Sequence, residues 1–377
     1  MGTEVDPTSC DPAGLPFDVF LHGTVFLDII FTGLSSLPSA GRETWASGMG
    51  SSPGGIANLA TAASRLGLRT SLAAAFGDDV YGEFCWRTLA DQEGVDLSRS
   101  RSFKDWHSPV TVSLSALGDR TMITHEHHAP VPAGEMIGRP PRSRVVMVEL
   151  DAELDLVRTD GSGGDGPSTS WIDLARADGS LVFADVGWDD SGRWSRTVLD
   201  QLEMCHAFVP NAAEAMAYTR SETPREALYA LADRVPLAVV TNGSQGAMGI
   251  DSATGEEAEV PALRVSAIDP TGAGDVFATG LVLGTLHGWP LADRLAFAAV
   301  CSALAVQQFG GSLAAPTLGD VLDWWHAVRQ ETGSSAYLSS LRRRYAFLDD
   351  LVLSGPVRDR RRATATIARL SDLGLPT

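Results

Sequence analysis

Lysine is almost absent from this chain: 29 of its 377 residues are basic, but only Lys104 is a lysine. Acidic residues outnumber basic ones: 47 aspartates and glutamates leave a formal net charge of −18 at pH 7. This surplus argues against nucleic acid or an anionic membrane as the main partner, since both are densely negative themselves. It does not exclude a nucleotide, because a divalent cation, an arginine and a helix end can bind phosphates locally.

Cysteines and long apolar runs are also few. The four cysteines are far apart and form no Cys-x-x-Cys pair: Cys10, Cys85, Cys205 and Cys301. Such spacing is typical of reduced thiols in a cytoplasmic protein. No apolar run reaches the roughly 20 residues of a membrane span, and the acidic N-terminus lacks the basic start of a signal peptide. We therefore expect a cytoplasmic protein with no membrane partner and a disordered acidic tail over residues 1–15.

Two common phosphate-transfer signatures are missing as well. The sequence contains no Gly-x-x-x-x-Gly-Lys-Ser/Thr loop, which excludes a P-loop kinase. It also lacks the Lys, His-Arg-Asp and Asp-Phe-Gly set of protein kinases. Any phosphoryl chemistry must therefore use a different site.

A glycine-rich loop is the most informative feature that is present. It reads Asp-Pro-Thr-Gly-Ala-Gly-Asp from Asp269 to Asp275, and an apolar segment up to Leu286 follows it. This layout predicts a tight loop opening onto a helix, whose first N–H groups attract anions. We expect the backbone N–H groups from Gly272 to Asp275, including those of Ala273 and Gly274, to form an anion hole. Asp275 would take the proton of a hydroxyl that attacks a phosphoryl group; the alternative is a close-packed turn in which Asp275 only caps the helix.

Four motifs in this chain follow the order found in the PfkB, or ribokinase-like, carbohydrate kinase family. The loop resembles that family's Asp-Thr-x-Gly-Ala-Gly-Asp signature, departing from it at Pro270. The other three are SSPGGIAN at 51–58 with FGDDVYG at 76–82, NAAE at 211–214, and TNGSQGA at 241–247. The resemblance spans roughly Phe17 to Thr317. It implies phosphorylation of a small sugar or related polyol at a hydroxyl, with ATP and Mg²⁺ as cofactors.

Alternating strand and helix patterns predict an α/β fold with a mostly parallel central sheet flanked by helices. The strands expected in this sheet are short apolar segments, buried on both faces: Phe17–His22, Thr70–Ala75, Val145–Leu150, Leu181–Asp185, Ala207–Val209 and Ala238–Thr241. Helices are expected at Ile56–Leu66 and Tyr81–Glu93. Two half-polar segments, 29–45 and 109–124, read as half-exposed strands. The resemblance implies that they form a small β-sheet lid over the sugar, through which a homodimer would assemble.

The chain divides into a kinase domain over residues 16–330 and an extension over residues 331–377. The extension departs from the family and carries eight arginines against five acids. It predicts either a helical pair docked on the acidic body or an arm that binds a partner or phosphate.

The resemblance also assigns site residues one by one. Substrate hydroxyls fall to Asp28, Gly54, Gly55, Asn58 and Glu149, and the nucleotide falls to Asn211, Thr241, Gly243 and Thr271. Glu214 is expected to order Mg²⁺, and Asp269 is expected to contribute to a site for a monovalent cation. From the residues alone, Asp28 and Glu149 also read as ordinary strand-end acids, although ligands do bind at such ends. Asn211 also reads as a helix cap.

The substrate itself stays open at this level. Ribokinases commonly place an Asn two residues before the N-terminal Asp, where this chain has Phe26. An aromatic ring there removes hydroxyl recognition, which leaves room for another sugar, a sugar acid or a nucleoside. A nucleoside kinase is therefore one alternative, and a catalytically silent ribokinase-like binding or regulatory protein is another.

Overall fold

Strands and helices alternate along residues 15–116, 119–150, 170–189, 191–308, 310–333 and 335–353, which are the residues that the computed structural model describes. The strands are β1 (Phe17–His22), β2 (Val25–Leu34), β3 (Gly48–Gly55), β4 (Thr70–Ala73), β5 (Ala75–Gly77), β6 (Arg101–Phe103), β7 (Val110–Ala116), β8 (Asp119–His125), β9 (Ser143–Leu150), β10 (Leu181–Val186), β11 (Ala207–Phe208), β12 (Leu237–Thr241), β13 (Ala247–Asp251) and β14 (Glu256–Val260). The α-helices are α1 (Ile56–Arg65), α2 (Val80–Arg87), α3 (Ala133–Ile137), α4 (Trp171–Ala177), α5 (Arg196–Gln201), α6 (Ala212–Thr219), α7 (Pro224–Ala232), α8 (Ala273–Leu286), α9 (Leu291–Ala305), α10 (Leu318–Gln330), α11 (Ala336–Arg344) and α12 (Leu348–Leu353). Of the predicted features, the tail over residues 1–14 and the C-terminal residues 354–377 lie outside the described residues. No described helix has the length and apolar character needed to cross a membrane.

An eight-stranded sheet forms the centre of the molecule, in the order β14-β13-β12-β11-β10-β9-β1-β4. The six strands from β12 to β4 run parallel, and β13 and β14 add an antiparallel hairpin at one edge. Successive side chains of a strand point to opposite faces: Val19 and Leu21 join one apolar cluster with α1, α8 and α9. Phe20 joins a second cluster with α4 to α7. The predicted mostly parallel α/β sheet is confirmed.

A separate four-stranded sheet, the lid, has the order β3-β2-β7-β8. The segment 29–45 contributes only the second half of β2, and residues 35–47 form no strand. The lid strand that the sequence analysis did not predict is β3, whose Ser, Pro and Gly residues are poor strand formers. These residues form a strand because they pair with β2, from Val25↔Gly55 to Thr32↔Gly48, although their strand propensity is low.

The C-terminal helices are part of the main body. Leu338, Leu341, Tyr345 and Leu348 are buried in the cluster that also contains α8 and α9. The indole N–H of Trp325 in α10 donates a hydrogen bond of 2.8 Å to Asp349. Residues 335–353 are therefore docked rather than extended.

A buried arginine, Arg65, connects α1 to Glu93 and to the turn Gly311–Ala314 with the residue that follows it. Arg65 and Glu93 have side chains only 2% exposed each, and their charged atoms lie 2.7 Å apart. Arg65 Nη1 also donates to the carbonyl oxygens of Leu313, at 2.8 Å, and Ala315, at 2.7 Å. The guanidinium is thus surrounded by acceptors, as a buried charge requires.

Removing the negative partner of this pair should destabilise the protein strongly. Glu93→Gln leaves the Arg65 charge buried without its counter-ion, which typically costs about 3–5 kcal/mol. The matched control is Glu83→Gln, because Glu83 pairs with Arg87 at 3.0 Å with side chains 60% and 67% exposed. That change should lower the free energy of unfolding by less than about 1 kcal/mol. Urea unfolding of both variants measures the difference, and equal losses would contradict it.

Candidate functional site

Several of the predicted site residues lie at the carboxyl edge of the parallel strands. Glu149 and Asp185 lie next to last in β9 and β10, and they are paired in register. Thr241 ends β12 and forms a bridge to Asn211, which follows β11 closely. Ligands of open α/β sheets bind at this edge.

The glycine-rich loop opens onto helix α8 as its sequence predicts. Gly272 has a left-handed φ of 74° and caps the helix without a side-chain hydrogen bond. The Ala273 N–H donates to the Pro270 carbonyl, but the Gly274 amide meets no acceptor among the described residues. A Cβ on Gly274 would contact nothing within 4 Å. Among the predicted anion-hole amides, that of Gly274 therefore has no acceptor among the described residues, and it lies at the positive end of a helix.

Asp275 is held by a residue from a distant part of the chain. Asn58 Nδ2 donates to Asp275 Oδ2 at 3.0 Å, across 217 positions of sequence. Asn58 lies in the first turn of α1 and is 7% exposed, and its Oδ1 finds no partner among the described residues. One side chain thus orients the acid and presents an unused acceptor beside it.

The two glycines before α1 make room for their neighbours on β2. A Cβ on Gly54 would overlap the carboxylate of Asp28, and one on Gly55 would lie 2.6 Å from the Phe26 ring. Gly55 also has φ at 61°, a left-handed conformation that favours glycine. Asp28 and both glycines therefore form one unit, with Phe26 beside it.

Asp185 is a buried acid at this edge that the sequence analysis did not single out. Burial raises the pKa of the Asp185 carboxyl well above its usual range. Three neighbouring carboxylates raise it further: Asp275, Glu214 and Glu149. The available signal was its place at the end of the strand next to β9, since parallel strands bring their ends together.

Asn211 and Glu214 form a reciprocal cap at the start of α6. Asn211 Oδ1 accepts from the Glu214 N–H at 3.0 Å, and Glu214 Oε2 accepts from the Asn211 N–H at 2.9 Å. The capping interpretation of Asn211 is therefore correct, and Glu214 Oε1 lies outside the cap. Burial raises the pKa of Glu214. The charge of Glu214 acts on Asp185, so this desolvated carboxyl lies near that residue.

Metal binding at this edge would rely on few protein ligands. Among the described residues, no three His, Cys, Asp or Glu side chains are grouped so as to hold a metal ion. Mg²⁺ is commonly held by one or two carboxylates together with water and phosphate oxygens. The carboxyl groups of Asp185 and Glu214 fit that pattern. Asp269 is 2% exposed and accepts the Thr271 N–H at 2.9 Å, so its observed role is to fix the loop.

A cavity of about 740 Å³ lies beside the Gly243 turn. Ser244, Gln245 and residues 261–266, which lead towards Asp269, line it. Ligand pockets typically measure about 300–1,000 Å³. The cavity therefore has the size of a small-molecule site and adjoins the predicted nucleotide side.

Asp185→Asn should stabilise the protein at neutral pH. A carboxyl whose pKa is raised by folding contributes stability below its unfolded value of about 3.9 and loses it as pH rises through the folded value. The amide avoids that loss, so unfolding should require on the order of 1–2 kcal/mol more at pH 7.5, with a smaller gain near pH 4.

Thermal unfolding at the two pH values measures this difference. The control is Asp200→Asn, because that carboxylate is 74% exposed and its loss should matter little at either pH. If Asp185→Asn is less stable than the wild-type protein at pH 7.5, the carboxyl group of Asp185 does not destabilise the fold at neutral pH.

Comparison with known proteins places this geometry in a family. The model described as pfkB family carbohydrate kinase matches residues 29–318. A ribokinase from Schizosaccharomyces pombe is 38% identical over 131 residues, which are 32% of this chain and 41% of that protein. A fructokinase from Klebsiella pneumoniae is 31% identical over 296 residues, covering 71% of this chain and 90% of the fructokinase.

The fold has solved counterparts too. A ribokinase structure from Arabidopsis thaliana superposes with a TM-score of 0.64 at 20% identity, covering 82% of this chain and 98% of the other. At that identity the likeness concerns the fold alone. The family model, by contrast, matches well over half of the sequence. The chain therefore belongs to the pfkB family of carbohydrate kinases.

Proposed function

We propose that this protein transfers the terminal phosphoryl group of ATP to a hydroxyl of a small sugar or related polyol. The observation that carries the proposal is the Asn58–Asp275 hydrogen bond of 3.0 Å at the open end of α8. It places an oriented carboxylate beside a helix N-terminus that attracts anions. The similarity to a fructokinase supports a sugar acceptor, and the Arabidopsis ribokinase structure is described as a complex with ribose and ATP.

Asp275 would act as the general base. The acceptor hydroxyl would give its proton to the carboxylate while its oxygen attacks the terminal phosphorus of ATP, and ADP would leave with the bridging oxygen. The Asn58 hydrogen bond keeps the carboxylate in position for this transfer. The backbone N–H groups of the Gly272–Asp275 loop, with that of Gly274 among them, would stabilise the charge on the transferring group.

Acceptor binding would use the residues around the Gly54–Gly55 pair. Asp28 and Asn58 would hydrogen-bond substrate hydroxyls, and Glu149 would reach the same space from β9. The lid formed by β2, β3, β7 and β8 would exclude water, which otherwise competes as the acceptor.

The nucleotide would lie on the other side of the loop. Asn211, Thr241, Gly243 and Thr271 would contact it, with the 740 Å³ cavity receiving its nucleoside part. Bound Mg²⁺ compensates phosphate charge in such reactions, and Glu214 and Asp185 would hold it. A monovalent cation beside Asp269 stays a prediction.

The lid would also form a homodimer. Its surface exposes Trp45 at 81% and Ile123 at 64%, and a 390 Å³ cavity lined in part by Phe31 and Leu114 lies on it. A sedimentation experiment that finds only monomer at micromolar concentration would refute this. We place the reaction in the cytoplasm, because Cys85, Cys205 and Cys301 are all unpaired and buried.

Asp275→Asn tests the base. The amide should bind MgATP about as well as the carboxylate does, while turnover falls by about two to four orders of magnitude. Asp293→Asn is the matched control, because Asp293 occupies the first turn of α9 as Asp275 does in α8. More than a tenth of wild-type activity in Asp275→Asn would remove Asp275 from this role.

The same assay separates the alternative functions. ATP turnover is measured with a panel of sugars, sugar acids and nucleosides, and calorimetry follows MgATP binding. Turnover with nucleosides alone would favour a nucleoside kinase. MgATP binding without turnover on any acceptor would favour a catalytically silent binding protein.

Phe26→Asn should change the preference for acceptors. Phe26 is half buried, contacts Gly55 and belongs to neither apolar cluster. It lies two residues before Asp28 on β2, and such residues share a face of the strand. An amide side chain at this position should favour hydroxyl-rich acceptors such as ribose over the native acceptor by about 1–3 kcal/mol.

The control is Phe31→Asn, five residues along the same strand and therefore on its other face. Relative kcat/KM values over the acceptor panel measure both variants. An unchanged ranking for Phe26→Asn, or an equal change for Phe31→Asn, would show that Phe26 does not contact the substrate.

A further inference from the structure

The C-terminal helix α11 contacts one wall of the 740 Å³ cavity. Residues 261–266 form this wall. The Arg264 guanidinium lies over the Tyr337 ring, 4.8 Å from its centroid. The backbone N–H of Arg264 also donates to the Tyr337 hydroxyl at 3.0 Å. A single side chain of α11 thus holds both the backbone and the side chain of the wall.

A second contact lies at the other end of α11. Arg344 Nη1 donates to the carbonyl oxygen of Pro261 at 3.2 Å. Tyr337 and Arg344 are seven residues apart, which is about 10.5 Å along a helix. Pro261 and Arg264 are three residues apart, which is about 10 Å in an extended chain. The helix and the wall therefore match in length and run side by side.

The wall needs such support because it has no regular structure of its own. Residues 261–267 belong to no helix or strand. Helix α11, in contrast, is anchored in the core by Leu338 and Leu341, which are 3% and 6% exposed. Tyr345, directly after α11, is fully buried with its ring 4.8 Å from that of Trp324. A firmly packed element thus fixes an irregular segment.

We propose that α11 is a positioning element for the nucleotide, with Tyr337 and Arg344 as its positioning residues. They hold residues 261–266 in the shape against which the nucleoside part of ATP packs. This inference rests on the proposed kinase function and assigns a role to a segment beyond residue 318, where the family match ends. The acceptor side of the site has no share in it.

The test compares Tyr337→Leu, Tyr337→Phe and Arg344→Ala. Arg343→Ala is the matched control, because Arg343 is the exposed neighbour of Arg344 on the same helix. The KM for ATP should rise about three- to tenfold in Tyr337→Leu and Arg344→Ala, the effect expected from losing one or two hydrogen bonds. It should rise less in Tyr337→Phe, which keeps the ring beneath Arg264. The KM for the acceptor should stay at its wild-type value, and the melting temperature should fall by no more than a few degrees, because the same contacts also stabilise the fold.

Each other outcome overturns the inference in a recognisable way. If the wild-type protein turns over ATP and the variants keep its KM for ATP, the contacts do not position the nucleotide. A parallel rise in both KM values together with a lower melting temperature would mean that α11 only stabilises the fold. Absence of MgATP binding to the wild-type protein in calorimetry would reject the kinase function itself, and this inference with it.

Discussion

The buried guanidinium of Arg65 is the interaction on which the geometry of the site depends. It joins α1 to Glu93 and to two carbonyl oxygens, that of Leu313 in the turn Gly311–Ala314 and that of Ala315 directly after it. That turn packs against the site, since a Cβ on Gly311 would lie 3.6 Å from both Asn58 and Thr271. A charge so deeply buried tolerates few arrangements of its acceptors. The relative positions of α1 and the glycine-rich loop are therefore set by electrostatics rather than by apolar packing alone.

Several acidic side chains are concentrated at the carboxyl edge of the central sheet, and this concentration lowers the stability of the fold. Burial raises the pKa of Asp185, and the neighbouring carboxylates of Asp275, Glu214 and Glu149 raise it further. Nothing in the apolar packing of the sheet requires them there. Active sites commonly give up stability in this way, because groups that bind a cation or a proton are strained in its absence.

Regular elements with a clear hydrophobic pattern were predictable from sequence. Strand β1 has the predicted bounds, and α8 follows its glycine-rich loop as expected. The predicted strand Thr70–Ala75 instead divides into β4 and β5. Strand β3 was missed because its residues become a strand only by pairing with β2. Asp185 was missed because a lone acid carries no motif, and only the sheet brings it to Glu149.

The junction at Gly55 has a mechanical consequence. Gly55 ends lid strand β3 and is also the N-cap of α1, so no loop separates the lid from the helix that carries Asn58. A shift of the lid is thus transmitted to the residue that orients Asp275. Under the proposed function, lid closure and alignment of the base would be one movement, which would confine phosphoryl transfer to the closed enzyme and limit wasteful hydrolysis of ATP when no acceptor is bound.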